Sequence, residues 1–117
     1  MTQVTMYHNP NCSKSRATLS ILEAHNIETD IRLYLEQPPT SAELDELLQT
    51  LQMEPKDILR GNETVLQSLE IAIDDLDRSE IITLMTEHPI LMQRPIVRTG
   101  DRAVIGRPPE NVLALID

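Results

Sequence analysis

The segment QVTMYHNPNCSKSRATLSILEAHNIETDIRLYL, residues 3–35, contains the pattern that most strongly predicts the fold. Gln3–Tyr7 alternates and contains β-forming residues, which is typical of a strand. The stretch from Ser13 onward predicts a helix, with Leu and Ile residues on its buried side, and Asp30–Leu35 predicts a second strand. A strand–helix–strand order predicts two parallel strands joined by a crossover helix.

The middle of the chain is predicted to be helical. Thr40, followed three residues later by Glu43, has the capping-box pattern of a helix start. The apolar residues that follow have the spacing of one helix face, namely Leu44, Leu47, Leu48 and Leu51. Asp77 and Glu80 repeat the capping pattern before another helix, which Pro89 should end.

The last part of the chain predicts a hairpin and a short helix. The stretch PIVRTGDRAVIG has two β-like runs around Gly100 and Asp101, and PENVLALI predicts a closing helix. The order is therefore β-α-β, a helical insertion at about 40–88, then β-β-α. This is the connectivity of an α/β, thioredoxin-like domain, and we expect one such domain to span all 117 residues.

The net charge and the lack of long apolar runs argue against several classes of partner. The formal net charge of −9 should repel nucleic acid and anionic membranes, so we expect neither as a partner. No apolar run approaches the roughly 20 residues of a membrane span, and the N-terminus lacks the basic and apolar regions of a signal peptide. The same charge should repel a small anionic substrate, so an anion site would need its own cluster of cations.

Cys12 is the only cysteine, so it cannot form an internal disulfide, which favours a cytoplasmic location. It could be packing material, half of a redox pair or a nucleophile. It lies at the strand-to-helix junction, where the partial positive charge of a helix N-terminus stabilises a thiolate, and Lys14 and Arg16 add positive charge. We therefore favour a reactive thiolate, beside a helix terminus that can also hold an oxyanion.

The spacing around Cys12 argues against a redox pair within the chain and against a metal site. Ser15 occupies the position where a Cys-x-x-Cys motif has its second thiol, and the chain has no resolving cysteine. An oxidised Cys12 must therefore be released by an external thiol, such as glutathione or a partner protein. One cysteine and three dispersed histidines lack the spacing of metal ligands, so no metal site is expected.

The stretch HNPNCSKSR, His8–Arg16, resembles the glutaredoxin-dependent arsenate reductases, a family with a thioredoxin-like fold and a helical insertion. Four further stretches match in the same order: LYLEQPPT from Leu33, ILRGNE from Ile58, HPILMQRPIV from His88 and IGRPPE from Ile105. The resemblance implies that Cys12 attacks arsenate and forms a covalent adduct. It also implies that glutathione, as co-substrate, reduces the adduct to arsenite, and that glutaredoxin restores the thiol. No bound cofactor is expected.

The resemblance further implies that three arginines bind the oxyanion: Arg60, Arg94 and Arg107. Arginine suits this role because its planar fork donates two hydrogen bonds to one oxyanion and keeps its charge. From the residues alone, each arginine also has a plainer role. Arg60 could complement a helix dipole before Gly61, and Arg94 and Arg107 could be solvated surface residues.

Two polar residues are candidates for supporting roles. His8 could carry positive charge near the thiolate and lower its pKa, or it could only hydrogen-bond the loop. Ser15 could donate a hydrogen bond to the thiolate, or it could only serve as a residue of the first helical turn.

Two alternative functions use the same cysteine. One is a monothiol, glutathione-dependent oxidoreductase that acts on a different substrate, such as a glutathione mixed disulfide. The other is a non-enzymatic redox regulator, since relatives with this fold include a regulator that binds RNA polymerase. Those sensors contain Cys-x-x-Cys, and Ser15 argues against that switch here.

Overall fold

The computed structural model describes residues 3–60, 64–70, 72–93 and 95–116. Within them, the strands and α-helices in chain order are β1 (Gln3–Tyr7), α1 (Ser13–Ala24), β2 (Glu28–Arg32), α2 (Ser41–Leu51), α3 (Thr64–Leu69), α4 (Arg78–Glu87), β3 (Ile96–Thr99) and β4 (Arg102–Ile105). Short 3-10 helices span Pro55–Ile58, Ile73–Asp75, Pro89–Leu91 and Pro109–Leu115. None of the helices in the described ranges is long and apolar enough to span a membrane.

The four strands form one sheet in the order β2-β1-β3-β4. β1 pairs parallel to β2, with Met6 opposite Ile31, and antiparallel to β3, with Met6 opposite Val97. β3 and β4 form the predicted hairpin, and Gly100 at its turn has φ +59°, a left-handed conformation that glycine adopts without steric cost. The parallel pair crossed by α1 and the hairpin that follows confirm the predicted thioredoxin-like, mixed α/β fold.

One face of this sheet packs against α1 and the closing 3-10 helix. The buried residues of this core are each at most 3% exposed: Val4, Met6, Leu22, Val97, Val112 and Leu115. Val4 and Met6 are two positions apart, so both side chains of β1 point to the same face. Burying each side chain stabilises the fold by about 1.5–3 kcal/mol. The N-terminus of α1 is therefore held firmly at the end of β1.

The chain forms two compact units. The first contains the sheet, α1 and the closing 3-10 helix, that is, the described residues before Pro38 and after Gln93. The second, between Pro38 and Gln93, contains α2, α3 and α4, and corresponds to the predicted helical insertion. That all 117 residues form a single domain stays a prediction.

Two helices of the second unit, α2 and α4, begin where the capping patterns predicted. The Thr40 side chain accepts a hydrogen bond from the Glu43 N–H at 3.1 Å, which caps α2. Asp77 and Glu80 form the full capping box of α4, with distances of 2.8 and 3.1 Å between side-chain oxygens and backbone nitrogens. The predicted apolar face of α2 is buried: Leu44, Leu47, Leu48 and Leu51.

One sequence prediction is wrong in detail. The second strand was expected at Asp30–Leu35 but spans Glu28–Arg32. The chain turns at Leu33, whose carbonyl oxygen accepts from the N–H groups of the residues three and four positions on. Tyr34 is fully buried from within this turn, so its apolar character does not mark a strand. The predicted closing helix is confirmed, and it is a 3-10 helix that spans Pro109–Leu115.

Candidate active site

Cys12 is the N-cap residue of α1. Its backbone is extended, with φ −102° and ψ 123°, and its carbonyl oxygen accepts the first helical hydrogen bond from Arg16 N at 3.0 Å. Its own N–H donates to the Asn9 carbonyl oxygen at 3.0 Å, which fixes the preceding loop. Cys12 is partly exposed at the positive end of a 12-residue helix, as predicted for a thiol that solvent and a small oxyanion can reach.

Arg107 lies directly beside the Cys12 sulfur. Its Nη2 is 3.5 Å from Cys12 Sγ, although the two residues are 95 positions apart in the chain. Arg107 follows β4 at the point where the chain turns into the closing 3-10 helix. A guanidinium at this distance stabilises negative charge on the sulfur and on any oxyanion bound there.

The placement of Arg107 depends on a close approach of the backbone at Gly106. A Cβ atom on Gly106 would lie 2.6 Å from Thr18 Oγ1 and 2.8 Å from Pro95 Cγ. Gly106 N–H donates to the Pro95 carbonyl oxygen at 2.9 Å, and Thr18 Oγ1 is 3.4 Å from the Gly106 carbonyl oxygen. Only glycine fits between α1 and the start of β3 in this conformation, and Arg107 follows immediately.

Asn111 holds the turn from the other side. Its Nδ2 donates to the carbonyl oxygens of Ile105, at 3.2 Å, and Arg107, at 3.0 Å. The backbone on both sides of Gly106 is therefore tied to the closing 3-10 helix. Sequence reasoning missed Thr18, Gly106 and Asn111 as positioning residues. The glycine directly before Arg107 was the signal that could have indicated a close approach.

Replacing Gly106 by alanine should destabilise the protein by about 1–3 kcal/mol, because the new methyl group overlaps Thr18 and Pro95. Urea unfolding measures this loss. Thr18→Ala in the same chain removes the closest overlapping atom and should recover part of the stability, which a double-mutant cycle detects. A Gly106→Ala variant as stable as the wild type would contradict the close approach.

His8, Ser15 and Asn9 form a buried hydrogen-bonded group beneath the Cys12 loop. His8 Nδ1 and Ser15 Oγ are 2.6 Å apart, and Asn9 N–H donates to Ser15 Oγ at 3.1 Å. Asn9 Oδ1 accepts from Asn11 N–H at 3.0 Å. Both supporting residues named from the sequence thus contact one another and fix the loop. The hydrogen bond between them is compatible with either neutral tautomer of His8.

The surroundings of His8 disfavour the positively charged imidazole that was one of its predicted roles. Burial lowers its pKa below the ordinary 6.5, and the nearby Arg16 charge lowers it further. Arg16 stays close because its Nη1 donates to the Pro10 carbonyl oxygen at 2.8 Å. Positive charge near Cys12 therefore comes from arginine side chains and the helix terminus, while His8 is neutral near pH 7.

The lowered pKa of His8 makes a prediction about stability and pH. The unfolded chain binds a proton at His8 more readily than the folded chain does. The contribution of His8 to the free energy of unfolding is therefore fully present above about pH 6.5, and it is lost as pH falls towards the lower folded-state pKa. Between about pH 7.5 and about pH 5.5, the free energy of unfolding in urea should fall more for the wild type than for His8→Gln.

The matched control for this prediction is His25→Gln, at an exposed histidine near the end of α1. It removes an imidazole outside the hydrogen-bonded group of His8, Ser15 and Asn9, so it separates the loss of that group from the loss of any histidine. Equal pH dependence in the wild type and His8→Gln would mean that burial of His8 does not lower its pKa.

Of the other two predicted arginines, only Arg60 is among the described residues. Arg60 belongs to the second compact unit and is partly buried there. Its N–H donates to the Leu91 carbonyl oxygen at 2.7 Å, next to a β-bridge between Leu59 and Met92. Arg94 lies outside the described residues. Within the first compact unit, the structure brings Arg107 to Cys12, and it brings His8 of the preceding loop to Ser15 of α1.

A thioredoxin-like fold with a lone cysteine as the N-cap of its first helix, and an arginine at the sulfur, defines a class of single-cysteine thiol proteins. No group of three or more potential metal ligands occurs in the part of the chain that the structure describes. The model of the ArsC family matches residues 7–115, and the chain belongs to that family.

Relatives and solved structures agree with this assignment. The chain is 43% identical over 115 residues to the "Uncharacterized protein YfgD" of Escherichia coli strain K12, covering 97% of each chain. It is 40% identical over 114 residues to the "Arsenate reductase" of Haemophilus influenzae, covering 97% of this chain and 98% of the other. The structure of "Arsenate reductase from Vibrio cholerae" superposes with a TM-score of 0.93 at 40% identity, covering 98% of each chain.

Proposed function

We propose that this protein is a cytoplasmic arsenate reductase that uses Cys12 as its nucleophile and glutathione with glutaredoxin as its source of electrons. The observation that carries the proposal is the 3.5 Å distance between Arg107 Nη2 and Cys12 Sγ at the N-terminus of α1. A thiolate needs such a cation, and a tetrahedral oxyanion needs the same cation and the same helix N–H groups. The names of the relatives from Haemophilus influenzae and Vibrio cholerae support arsenate as the oxyanion.

In the first step, the Cys12 thiolate attacks arsenic(V) of arsenate, an S–As bond forms, and one arsenate oxygen leaves as water after protonation. The arsenate oxygens that remain carry negative charge, which Arg107 and the N–H groups of the first turn of α1 stabilise. Because Arg107 is positioned before substrate arrives, this stabilisation needs little reorganisation during the reaction.

In the second step, the glutathione thiolate attacks the Cys12 sulfur of the adduct. The S–As bond breaks, its electron pair reduces arsenic(V) to arsenic(III), and arsenite leaves. Cys12 remains as a mixed disulfide with glutathione. A glutaredoxin thiolate then attacks the glutathione sulfur and releases the Cys12 thiolate. Formation of the disulfide between Cys12 and glutathione supplies the two electrons that arsenate consumes, and the exchange with glutaredoxin then transfers that disulfide without further reduction of arsenic.

The dependence on an external thiol follows from Cys12 being the only cysteine of the chain. The chain has no second thiol that could resolve an oxidised Cys12. Ser15, at the position of the second thiol of a Cys-x-x-Cys motif, is fully buried and hydrogen-bonded to His8 and Asn9. We propose that no cofactor is bound, because the electrons come from the thiols. Arg60 and Arg94 are proposed to complete the oxyanion site with Arg107, as the family resemblance implies.

The test is arsenite production from arsenate by the purified protein with glutathione, glutaredoxin and a system that recycles glutathione disulfide. We expect turnover that requires both glutathione and glutaredoxin. No arsenite above the rate of the mixture without the protein, at millimolar arsenate, would overturn the proposal. Reduction of a glutathione mixed disulfide in the same preparation, without arsenate turnover, would instead identify a monothiol oxidoreductase.

A further inference from the structure

Among the described strands, β2 lies at one edge of the sheet. It pairs with β1 on one side, and none of the described strands pairs with its other side. The Arg32 carbonyl oxygen accepts from His8 N–H at 2.9 Å on the β1 side. Because backbone groups alternate along a strand, the N–H and C=O of Ile31 point to the open edge.

The side chain of Ile31 adds an apolar contact at this edge. It is 44% exposed, although it lies opposite Met6, which is fully buried on the same face of the sheet. Ile31 therefore extends the core face of the sheet to its edge, where much of its side chain remains exposed. Open edges with exposed apolar side chains are sites where another strand can add.

Asp30 and Arg32 flank Ile31 in β2 with opposite charges. This order favours pairing of β2 with β2 of a second copy of the chain. In an antiparallel pair centred on Ile31, each Ile31 faces the Ile31 of the other copy, and the outward backbone groups exchange two hydrogen bonds. Asp30 then faces Arg32 of the second copy, and Arg32 faces Asp30 of the second copy. These positions form a non-hydrogen-bonded pair, in which cross-strand side chains are closest.

We propose that two copies of this chain associate through β2, antiparallel and with a two-fold axis at Ile31. The formal net charge of −9 arises between residues 38 and 93, whereas the rest of the chain contains seven acidic and seven basic residues. The edge therefore belongs to the part of the chain with no net charge. A contact of five residues per strand is small, so the dimer is weak and forms at high protein concentration.

Sedimentation equilibrium of the full chain, at about 0.15 M salt to screen long-range repulsion, should show a monomer–dimer equilibrium with a dissociation constant of about 0.1–1 mM. Ile31→Lys places two like charges opposite one another and should raise that constant at least about tenfold. Leu113→Lys is the matched control, because Leu113 is 41% exposed in the closing 3-10 helix, outside β2. It should leave the equilibrium unchanged.

A charge swap tests the register itself. Asp30→Arg alone places arginine opposite Arg32 of the second copy, and Arg32→Asp alone places aspartate opposite Asp30. Each variant alone should be monomeric, whereas an equimolar mixture of the two should form a heterodimer, because both cross-strand pairs are again of opposite charge. Circular dichroism of each variant checks that it is folded before mixing, since Arg32 also donates to the Gln37 carbonyl oxygen at 3.0 Å.

A wild type that is monomeric at all concentrations would overturn the proposal. So would a dimer that Ile31→Lys leaves unchanged, because its interface would lie elsewhere. A wild-type dimer whose two charge variants fail to pair when mixed, although both are folded, would contradict the register centred on Ile31.

Discussion

Replacement of Cys12 by serine should reduce arsenite production by more than about 1000-fold, to the rate of the mixture without the protein. The hydroxyl has a far higher pKa than a thiol, so at neutral pH it provides no anionic nucleophile beside Arg107. It also cannot form the mixed disulfide with glutathione that carries the electrons. Arsenite is measured with purified glutathione, glutaredoxin and a disulfide-recycling system.

The fold should survive this substitution, which makes its effect on activity interpretable. Cys12 is the N-cap of α1, and serine is among the preferred residues at that position. Urea unfolding of Cys12→Ser should therefore give a free energy at least equal to that of the wild type. A folded Cys12→Ser variant that still produces arsenite would place the nucleophile elsewhere.

Replacement of Arg107 by leucine should lower kcat/KM for arsenate by about 100- to 1000-fold, the usual cost of removing one donor from a charge-stabilising site. Its guanidinium, 3.5 Å from Cys12 Sγ, stabilises both the thiolate and the oxyanion. In the wild type, the pH dependence of Cys12 alkylation should give an apparent pKa below the roughly 8.5 of a free thiol. In the leucine variant, the apparent pKa of Cys12 should be higher than in the wild type. Arg107→Lys should be intermediate, because lysine keeps the charge but loses the planar fork.

Arg98→Gln is the matched control for Arg107→Leu. Arg98 lies in β3, and its Nε donates to the Gly100 carbonyl oxygen at 3.2 Å, in the hairpin turn. Its loss should leave kcat/KM for arsenate within about twofold of the wild type. If Arg107→Leu and Arg98→Gln have the same small effect, the guanidinium beside Cys12 has no part in the reaction.

The elements with strong local signals were predictable from the sequence. β1 was placed correctly because alternation and β-forming residues coincide, and the Asp77–Glu80 capping box begins α4 as expected. The second strand was shifted because the buried Tyr34 extends the apolar pattern beyond the strand into a turn. In the sequence alone, a buried apolar residue of a turn cannot be distinguished from a buried apolar residue of a strand.

The site was predictable only in part, because its two sides come from distant parts of the chain. The local setting of Cys12 is visible in the sequence, whereas its contact with Arg107 depends on the β-β-α segment returning to α1. The close approach at Gly106 and the lowered pKa of His8 depend on burial among non-local neighbours. No sequence pattern within one segment reports such neighbours.

The most direct measurement of the central claim is a crystal structure of the protein soaked with arsenate in the absence of glutathione. We predict an S–As bond at Cys12, with an arsenate oxygen about 2.7–2.9 Å from the Arg107 guanidinium and with Arg60 and Arg94 on the remaining oxygens. An unmodified Cys12, with arsenate absent or bound away from Arg107, would contradict the assignment of Cys12 and Arg107 as the reacting site.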